Sequence, residues 1–168
     1  MRLWLLRHAK SSWDDDRLAD VDRPLAPRGE RAASAMATYI DGAAIRPNLV
    51  LCSPALRARQ TLQRVQASLG EPDIEIDPEL YTFDPLPLLA RARTVPDAVA
   101  SVMMVGHNPA MHEFAEMLAR SGDQLRDLAA KYPTCALAEL ELDATSWSGI
   151  AENGAMLTRF VTPRSLDA

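Results

Sequence analysis

Three short runs of apolar residues constrain the fold more than any other feature of this sequence. Residues 3–6, 49–52 and 102–105 are apolar throughout. Such runs are typical of strands buried on both faces, as in parallel sheets covered by helices. Segments with helical periodicity, such as residues 27–40, lie between the runs. This alternation predicts an α/β fold, in which a mainly parallel central sheet carries helices on both faces.

Helix starts and the remaining strands are predicted from local signals. Ser53 before Pro54, and Asn108 before Pro109, each predict an N-terminal cap followed by the first residue of a helix. These two helices are expected to end near residues 69 and 120. Shorter patterns predict a half-exposed strand at residues 74–76, a helix at 86–92, and strands at 137–142 and 156–161 joined through an Asn153-Gly154 turn.

Length and composition limit the classes of protein to consider. At about 150 residues per domain, residues 1–168 are expected to form one domain. The net charge of −5 argues against a nucleic-acid partner, which requires clustered Lys and Arg. The apolar runs are too short for a membrane helix or a signal peptide, so we expect a cytoplasmic protein with no membrane partner. Cys52 and Cys135 lack the spacing of a zinc site or a disulfide framework, and are expected to be packed, reduced thiols.

Basic and imidazole side chains follow all three buried runs. Arg7 and His8 follow the first, Arg57 lies shortly after the second, and His107 follows the third. Because open α/β sheets bind ligands at the carboxyl ends of their strands, we expect these side chains to meet at one edge. Helix N-termini at that edge favour an anion, and Arg57 in a first helical turn is disfavoured unless an anion lies beside it. The sequence therefore predicts a site for a phosphate-like anion, with imidazoles next to it.

Two nearby residues are expected to lie outside this site. His112 is five positions beyond His107, about 140° around the predicted helix. Arg59 is two positions beyond Arg57, about 200° around its helix. A zinc site made of His8, His107 and His112 is disfavoured, because two adjacent arginines would repel a dication. We therefore expect neither a metal nor another cofactor.

Three segments, in order, resemble the motifs of the histidine phosphatase (phosphoglycerate mutase-like) superfamily. Arg7-His8-Ala9 resembles its Arg-His-Gly signature, with alanine where glycine is usual. Residues 52–61 (CSPALRARQT) are similar to the second motif, Ser-x-x-x-Arg-Ala-x-Gln-Thr, and residues 105–109 (VGHNP) resemble the third, Gly-His. The length and residues 22–25 (DRPL) resemble the small SixA-type branch, whose members are phosphohistidine phosphatases.

This resemblance implies a phosphoglycerate mutase-like fold and a set of roles. His8 would be the nucleophile that forms a phosphohistidine, which water then hydrolyses. Arg7 and Arg57 would bind the phosphoryl oxygens, and His107 would add a donor to them, with or without a positive charge. The expected partner is a phosphorylated substrate, either a phosphohistidine protein or a small phosphomonoester, and the oligomeric state is not predicted.

A general acid is harder to identify in the sequence. Glu79 and Asp84 are both candidates, and no motif chooses between them. The absence of a clear acid favours phosphohistidine as substrate, because an imidazole leaves more readily than an alkoxide. Two alternatives remain open at this point: a small-molecule phosphomonoesterase of the same family, and a binding module for phosphorylated ligands without turnover. The presence of His8 favours an enzyme, because binding alone needs the arginines and not a nucleophile.

Overall fold

A computed structural model describes residues 1–167. Within them, the strands are β1 (Arg2–Arg7), β2 (Leu49–Cys52), β3 (Asp73–Ile76), β4 (Ser101–Gly106), β5 (Ala119–Ser121), β6 (Leu137–Leu142) and β7 (Ala155–Val161). The α-helices are α1 (Pro27–Gly42), α2 (Leu56–Val65), α3 (Pro85–Arg93), α4 (Ala110–Leu118), α5 (Leu125–Ala130) and α6 (Pro163–Leu166). Short 3-10 turns span Asp20–Asp22, Gln66–Ser68, Pro78–Leu80 and Trp147–Gly149.

One mixed sheet joins all seven of these strands, in the order β3-β2-β4-β1-β6-β7-β5. β4 pairs in parallel with both β1 and β2, and β2 pairs in parallel with β3. β6 is antiparallel to both of its neighbours. The predicted α/β fold with a mainly parallel sheet is therefore confirmed. The carboxyl ends of β1, β2 and β4 lie side by side, with Arg7 opposite Gly106 and Cys52 opposite Val105.

The sheet separates two hydrophobic cores, because successive side chains of its central strands point to opposite faces. Leu3 and Leu5 of β1 belong to one core, and Trp4 and Leu6 belong to the other. Helices α3, α4 and α5 cover the first face, and α1 and α2 cover the second. This double burial explains the continuous apolar runs in the sequence. No helix within residues 1–167 is long and apolar enough to cross a membrane.

Both predicted helix caps are wrong. α2 begins at Leu56 with Ala55 at its N-cap, and α4 begins at Ala110 with Pro109 at its N-cap. The Ser53 hydroxyl instead accepts a hydrogen bond from the Ala55 amide at 3.2 Å and contacts His107. The Asn108 side chain instead donates to the Tyr132 carbonyl. Each capping side chain thus has a partner elsewhere in the tertiary structure, and α2 begins two residues later, and α4 one residue later, than predicted.

Other differences from the predicted elements have local causes. Ile74 and Ile76 are both exposed, because β3 lies at the edge of the sheet and all four of its residues are exposed. β6 and β7 do pair as predicted, but a twelve-residue connection that contains the Trp147–Gly149 turn joins them. The second helix ends at Val65 and the chain continues as a 3-10 turn, and α4 ends at Leu118. The short elements β5, α5 and α6 were not predicted.

A glycine at the start of α1 sets how closely this helix approaches the loop after β1. The amide of Ala26 donates to the carbonyl of Lys10 at 2.9 Å. A Cβ atom on Gly29 would lie 2.1 Å from the same carbonyl oxygen. Only glycine permits this approach, which holds Lys10 between α1 and the end of β1.

Candidate active site

A cavity of about 240 Å³ opens at the carboxyl ends of β1, β2 and β4. The structure brings Arg7, His8, Arg57 and His107 together in its lining, although they lie up to 100 positions apart in the chain. The rest of the lining comes from the loop after β1 and from three other segments: Lys10, Ser11, Trp13, Asp20, Arg23, Phe83, Asn108 and Thr134. The parallel pairing of the three strands is what makes their ends converge.

His8 is held as a neutral imidazole with one nitrogen available. Its amide donates to the Gly106 carbonyl, which fixes the residue at the end of β1. Its Nδ1 lies 2.7 Å from the Ala9 carbonyl oxygen, so Nδ1 carries the proton and donates it. Its Nε2 keeps a lone pair, toward which the Arg57 Nε–H points at 3.3 Å. Burial lowers the pKa of His8 to about 3, and the neighbouring His107 and arginines act in the same direction.

His107 is neutral as well, with the opposite tautomer. Its Nδ1 accepts a hydrogen bond from Arg57 Nη2 at 3.2 Å, because a guanidinium can only donate. The proton therefore lies on Nε2, which donates to the Ser53 hydroxyl at 2.7 Å. Burial, and then the charge of Arg57, lower the pKa of His107 to about 4. Of the two states that the sequence allowed, the structure thus favours the uncharged one. The two imidazole ring centres are 5.1 Å apart.

Arg57 connects the two histidines to a carboxylate. Its side chain is only 2% exposed, and besides both imidazoles it contacts Asp20 twice. Nη1 donates to the Asp20 carbonyl at 2.7 Å, and Nη2 donates to Asp20 Oδ2 at 2.9 Å. The anion that the sequence requires beside this first-turn arginine is therefore present within the chain.

Asp20 lies in the Asp20–Asp22 turn of the loop between β1 and α1, and sequence reasoning missed it. The Tyr81 hydroxyl also donates to Oδ2, and Arg23 donates to Oδ1 at 3.1 and 3.2 Å. Partial burial raises the pKa of this carboxyl, but the hydrogen bonds from Tyr81, Arg57 and Arg23 outweigh it and place the pKa well below the usual range. Asp20 is consequently ionised at any pH near neutrality.

Arg7 has donors that no other group uses. Its Nη1 donates to the Tyr132 carbonyl at 2.8 Å, which positions the guanidinium at the cavity wall. Among the residues that the structure describes, its buried Nε has no hydrogen-bond partner. The same holds for the buried Oδ1 of Asn108, whose Nδ2 shares the Tyr132 carbonyl with Arg7. Buried polar atoms are normally satisfied, so these two are exceptions, and both belong to residues that line the cavity.

Aromatic side chains form the outer part of the site. Trp13 is 70% exposed and stacks on Arg23, whose guanidinium carbon is 3.6 Å from the ring centre. Tyr81 and Phe83 pack edge-on against His107, at 5.3 and 6.0 Å between ring centres. Tyr81 and Phe83 were not predicted, since a lone aromatic in a loop carries no periodic signal, whereas the loop that begins at Lys10 and contains Trp13 was a candidate wall of the site. Residues 22–25 were noted for their resemblance, but the contact from Arg23 to Asp20 was not foreseen.

The other candidates from the sequence lie elsewhere. Glu79 and Asp84 do not line the cavity, and Asp84 caps α3 by accepting from the Leu86 amide. His112 contacts the Leu128 carbonyl through Nε2 at 2.6 Å and is not among the lining residues. Arg59 is exposed, whereas Arg57 is buried.

Comparison with known proteins gives a consistent result. The family model described as "Histidine phosphatase superfamily (branch 1)" matches residues 3–138. An uncharacterised protein of Mycobacterium leprae is 35% identical over 95% of this chain and all of its own length. The phosphohistidine phosphatase SixA of Escherichia coli is 32% identical over 65% of this chain and 68% of its own. A solved structure of the protein histidine phosphatase SixA in complex with tungstate superposes with a TM-score of 0.77 at 27% identity, covering 99% of both chains.

Proposed function

The chain belongs to the histidine phosphatase superfamily, and we propose that it hydrolyses the phosphorus–nitrogen bond of protein phosphohistidine through a phosphorylated His8. The tautomer of His8 is the observation that carries this proposal. Because Nδ1 donates its proton to the Ala9 carbonyl, Nε2 keeps a lone pair, which accepts a long hydrogen bond of 3.3 Å from Arg57 Nε. A pKa of about 3 keeps that nitrogen unprotonated at neutral pH. A base is therefore not needed to activate the nucleophile.

The reaction has two balanced steps. In the first, His8 Nε2 forms a bond to phosphorus while the bond from phosphorus to the substrate imidazole breaks. The leaving nitrogen keeps the electron pair, and because the other nitrogen of that ring carries a proton, the ring leaves as neutral imidazole. In the second, water attacks phosphorus, its proton is released, and His8 Nε2 recovers its lone pair. In the transition state of each step, negative charge is spread over the phosphoryl oxygens. Fixed hydrogen-bond donors at those oxygens supply most of the rate enhancement.

Arg7 and Arg57 supply these donors in the proposal. Arg7 offers the Nε–H that has no protein partner within residues 1–167. Arg57 offers the Nη donors that contact Asp20 in this structure. Planar guanidinium groups suit the paired oxygens of a phosphoryl group. The positive charge of two arginines takes the place that a metal ion has in other phosphoryl-transfer sites, so we propose a metal-independent reaction.

The leaving group is proposed from the acid that the cavity offers. Asp20 is the carboxylic acid among the described lining residues, and its lowered pKa keeps it ionised. It cannot protonate an alkoxide that leaves from a phosphomonoester. A leaving imidazole needs less help, because its reference pKa of about 6.5 lets it carry a proton near neutral pH. This favours phosphohistidine over a small phosphomonoester, in agreement with the similarity to the phosphohistidine phosphatase SixA of Escherichia coli.

Substrate profiling tests this proposal. Phosphoimidazole, a phosphohistidine peptide, an aryl phosphate and a sugar phosphate are compared, with and without EDTA. We expect the two phosphorus–nitrogen substrates to have the highest kcat/KM and EDTA to have no effect. Turnover of the sugar phosphate alone would identify a phosphomonoesterase instead. Binding without turnover of any of the four would identify a binding module.

A further inference from the structure

A second cavity, of about 740 Å³, lies beside the candidate active site. Lys10 and Thr134 line both cavities, so the larger one continues from the smaller. It lies between α1, α6 and the segment that includes α5. Five basic side chains line this cavity, which we call the basic groove: Lys10, Arg28, Arg31, Lys131 and Arg164.

Carboxylates offset only part of the positive charge of the basic groove. Within residues 1–167, none of its five basic side chains has a carboxylate oxygen within 4.0 Å. Two acidic residues, Asp127 and Asp167, also line it. Arginines elsewhere in the chain commonly form ion pairs. Arg64 of α2, for example, pairs with Glu30 of α1, the helix that also carries Arg28 and Arg31. A chain with a net charge of −5 thus places five basic side chains without an ion pair to any described residue around one groove.

The basic groove also has apolar lining residues. Ala32 and Ala35 of α1, Pro133 and Phe160 form part of its lining. Its volume lies in the range of about 300–1,000 Å³ that is typical of binding pockets, and exceeds what a single phosphate needs. A lining that combines cationic and apolar side chains suits a polypeptide segment, whose acidic side chains pair with the cations while its backbone and aliphatic carbons contact the apolar residues.

We propose that the basic groove binds an acidic segment of the phosphorylated protein substrate while the phosphohistidine of that substrate occupies the active site. The proposal rests on the proposed function and adds a determinant of substrate choice. Lys10 is at the boundary, so a substrate chain can pass from one cavity to the other without crossing an uncharged gap. Opposite charge across an interface raises the association rate and selects among partners.

Synthetic peptides test this proposal directly. Two phosphohistidine peptides differ only in a block of six residues near the phosphohistidine. The block is all Glu in one peptide and all Gln in the other. One such pair carries the block on the N-terminal side of the phosphohistidine, and a second pair carries it on the C-terminal side. We expect the Glu peptide to have a kcat/KM about tenfold higher at low salt for one placement, since several exposed ion pairs add up. Because exposed pairs are screened, the preference should fall below about twofold at high salt.

A matched pair of variants locates the effect. Arg31→Ala/Lys131→Ala removes two cations from the basic groove, and Arg59→Ala/Arg126→Ala removes two exposed arginines that line neither cavity. The first variant should lose most of the preference for Glu, chiefly through KM, and the second should keep it. Phosphoimidazole is too small to reach the basic groove, so both variants should hydrolyse it at the parent rate.

The outcomes separate this proposal from the proposed function. Equal kcat/KM for the Glu and Gln peptides, or a Glu preference that persists in Arg31→Ala/Lys131→Ala, overturns the role of the basic groove even if phosphoimidazole is turned over. Failure to hydrolyse phosphoimidazole and both peptides overturns the proposed function. Inhibition of peptide turnover by a short single-stranded RNA, without any Glu preference, would assign the groove to another ligand and overturn the proposal.

Discussion

Replacing Arg57 with alanine should impair the reaction more than any other change outside His8. This substitution removes the guanidinium group and with it the hydrogen bonds to His8, His107 and Asp20. Removal of one charged donor from a transition state lowers rates by about 10²–10³-fold, and we expect that reduction in kcat/KM. Arg57→Lys should recover little, because one ammonium group cannot bridge the groups that Nε, Nη1 and Nη2 contact together.

The same change should also move the pH profile. The charge of Arg57 lowers the pKa of both histidines, in addition to burial. Its loss raises the pKa of His8, so the nucleophile becomes protonated at a higher pH than in the parent. The acidic limb of kcat/KM for Arg57→Ala should therefore lie at higher pH. Hydrolysis of phosphoimidazole, measured from about pH 3 to 9, gives the position of the acidic limb in each protein, and a melting curve at each pH shows that the protein is folded there.

Arg59→Ala serves as the control for Arg57. Arg59 is exposed and belongs to the same helix α2. Its replacement should change kcat/KM by less than about threefold and leave the melting temperature unchanged, as surface substitutions usually do. A sensitive Arg59 with a silent Arg57 would show that the second motif is assigned to the wrong residues. Full activity in Arg57→Lys would show that a point charge is sufficient and that the geometry of the guanidinium is irrelevant.

Four further predictions concern the same site. His8→Ala should abolish turnover, and rapid quenching of the parent should trap an acid-labile, base-stable phosphoryl group on His8; a label on another residue would exclude it as nucleophile. Vanadate, which mimics the five-coordinate transition state, should inhibit competitively and bind about 10²–10⁸-fold more tightly than substrate; weak, noncompetitive inhibition would contradict in-line attack. Asp20→Asn removes the carboxylate that competes with phosphate for Arg57, so inorganic phosphate should inhibit this variant at a concentration about threefold lower than it needs for the parent. Weaker inhibition of the variant than of the parent would make Asp20 part of the anion site. The folded-state pKa values of about 3 for His8 and about 4 for His107 lie below the reference value of about 6.5. The unfolded chain therefore binds more protons than the folded chain below pH 6.5, and the free energy of unfolding should fall by about 1 kcal/mol per histidine between pH 6.5 and 5.5. His107→Gln should show about half of this loss, and a free energy of unfolding that does not change with pH would refute the neutral, buried state.

The central strands and their terminal residues could be predicted because the signals are local. Burial on both faces leaves a continuous apolar run in the sequence of β1, β2 and β4. The parallel arrangement then places Arg7, His8, Arg57 and His107 at one edge without any knowledge of side-chain packing.

Asp20 could not be found in this way, because its position depends on contacts between distant segments. It lies in a loop with a polar composition, and its carboxylate is held by Arg57 and by Tyr81, which is 61 residues away. The helix starts failed for a related reason. Ser53 and Asn108 have the right chemistry for capping, but His107 and Tyr132 provide hydrogen-bond partners that compete with the helix ends. Local propensity gives no information about such competition.

The approach of Gly29 to the Lys10 carbonyl limits how this protein can vary by random substitution. Alanine is the better helix former by about 1 kcal/mol, so intrinsic propensity favours replacing a glycine inside α1. A methyl group at position 29 would nevertheless lie 2.1 Å from the carbonyl oxygen of Lys10. Relief of that overlap has to displace Lys10, which lines both cavities, although Gly29 lines neither. A substitution at position 29, which lines neither cavity, would therefore alter both cavities together. Any residue other than glycine is expected to be selected against at this position.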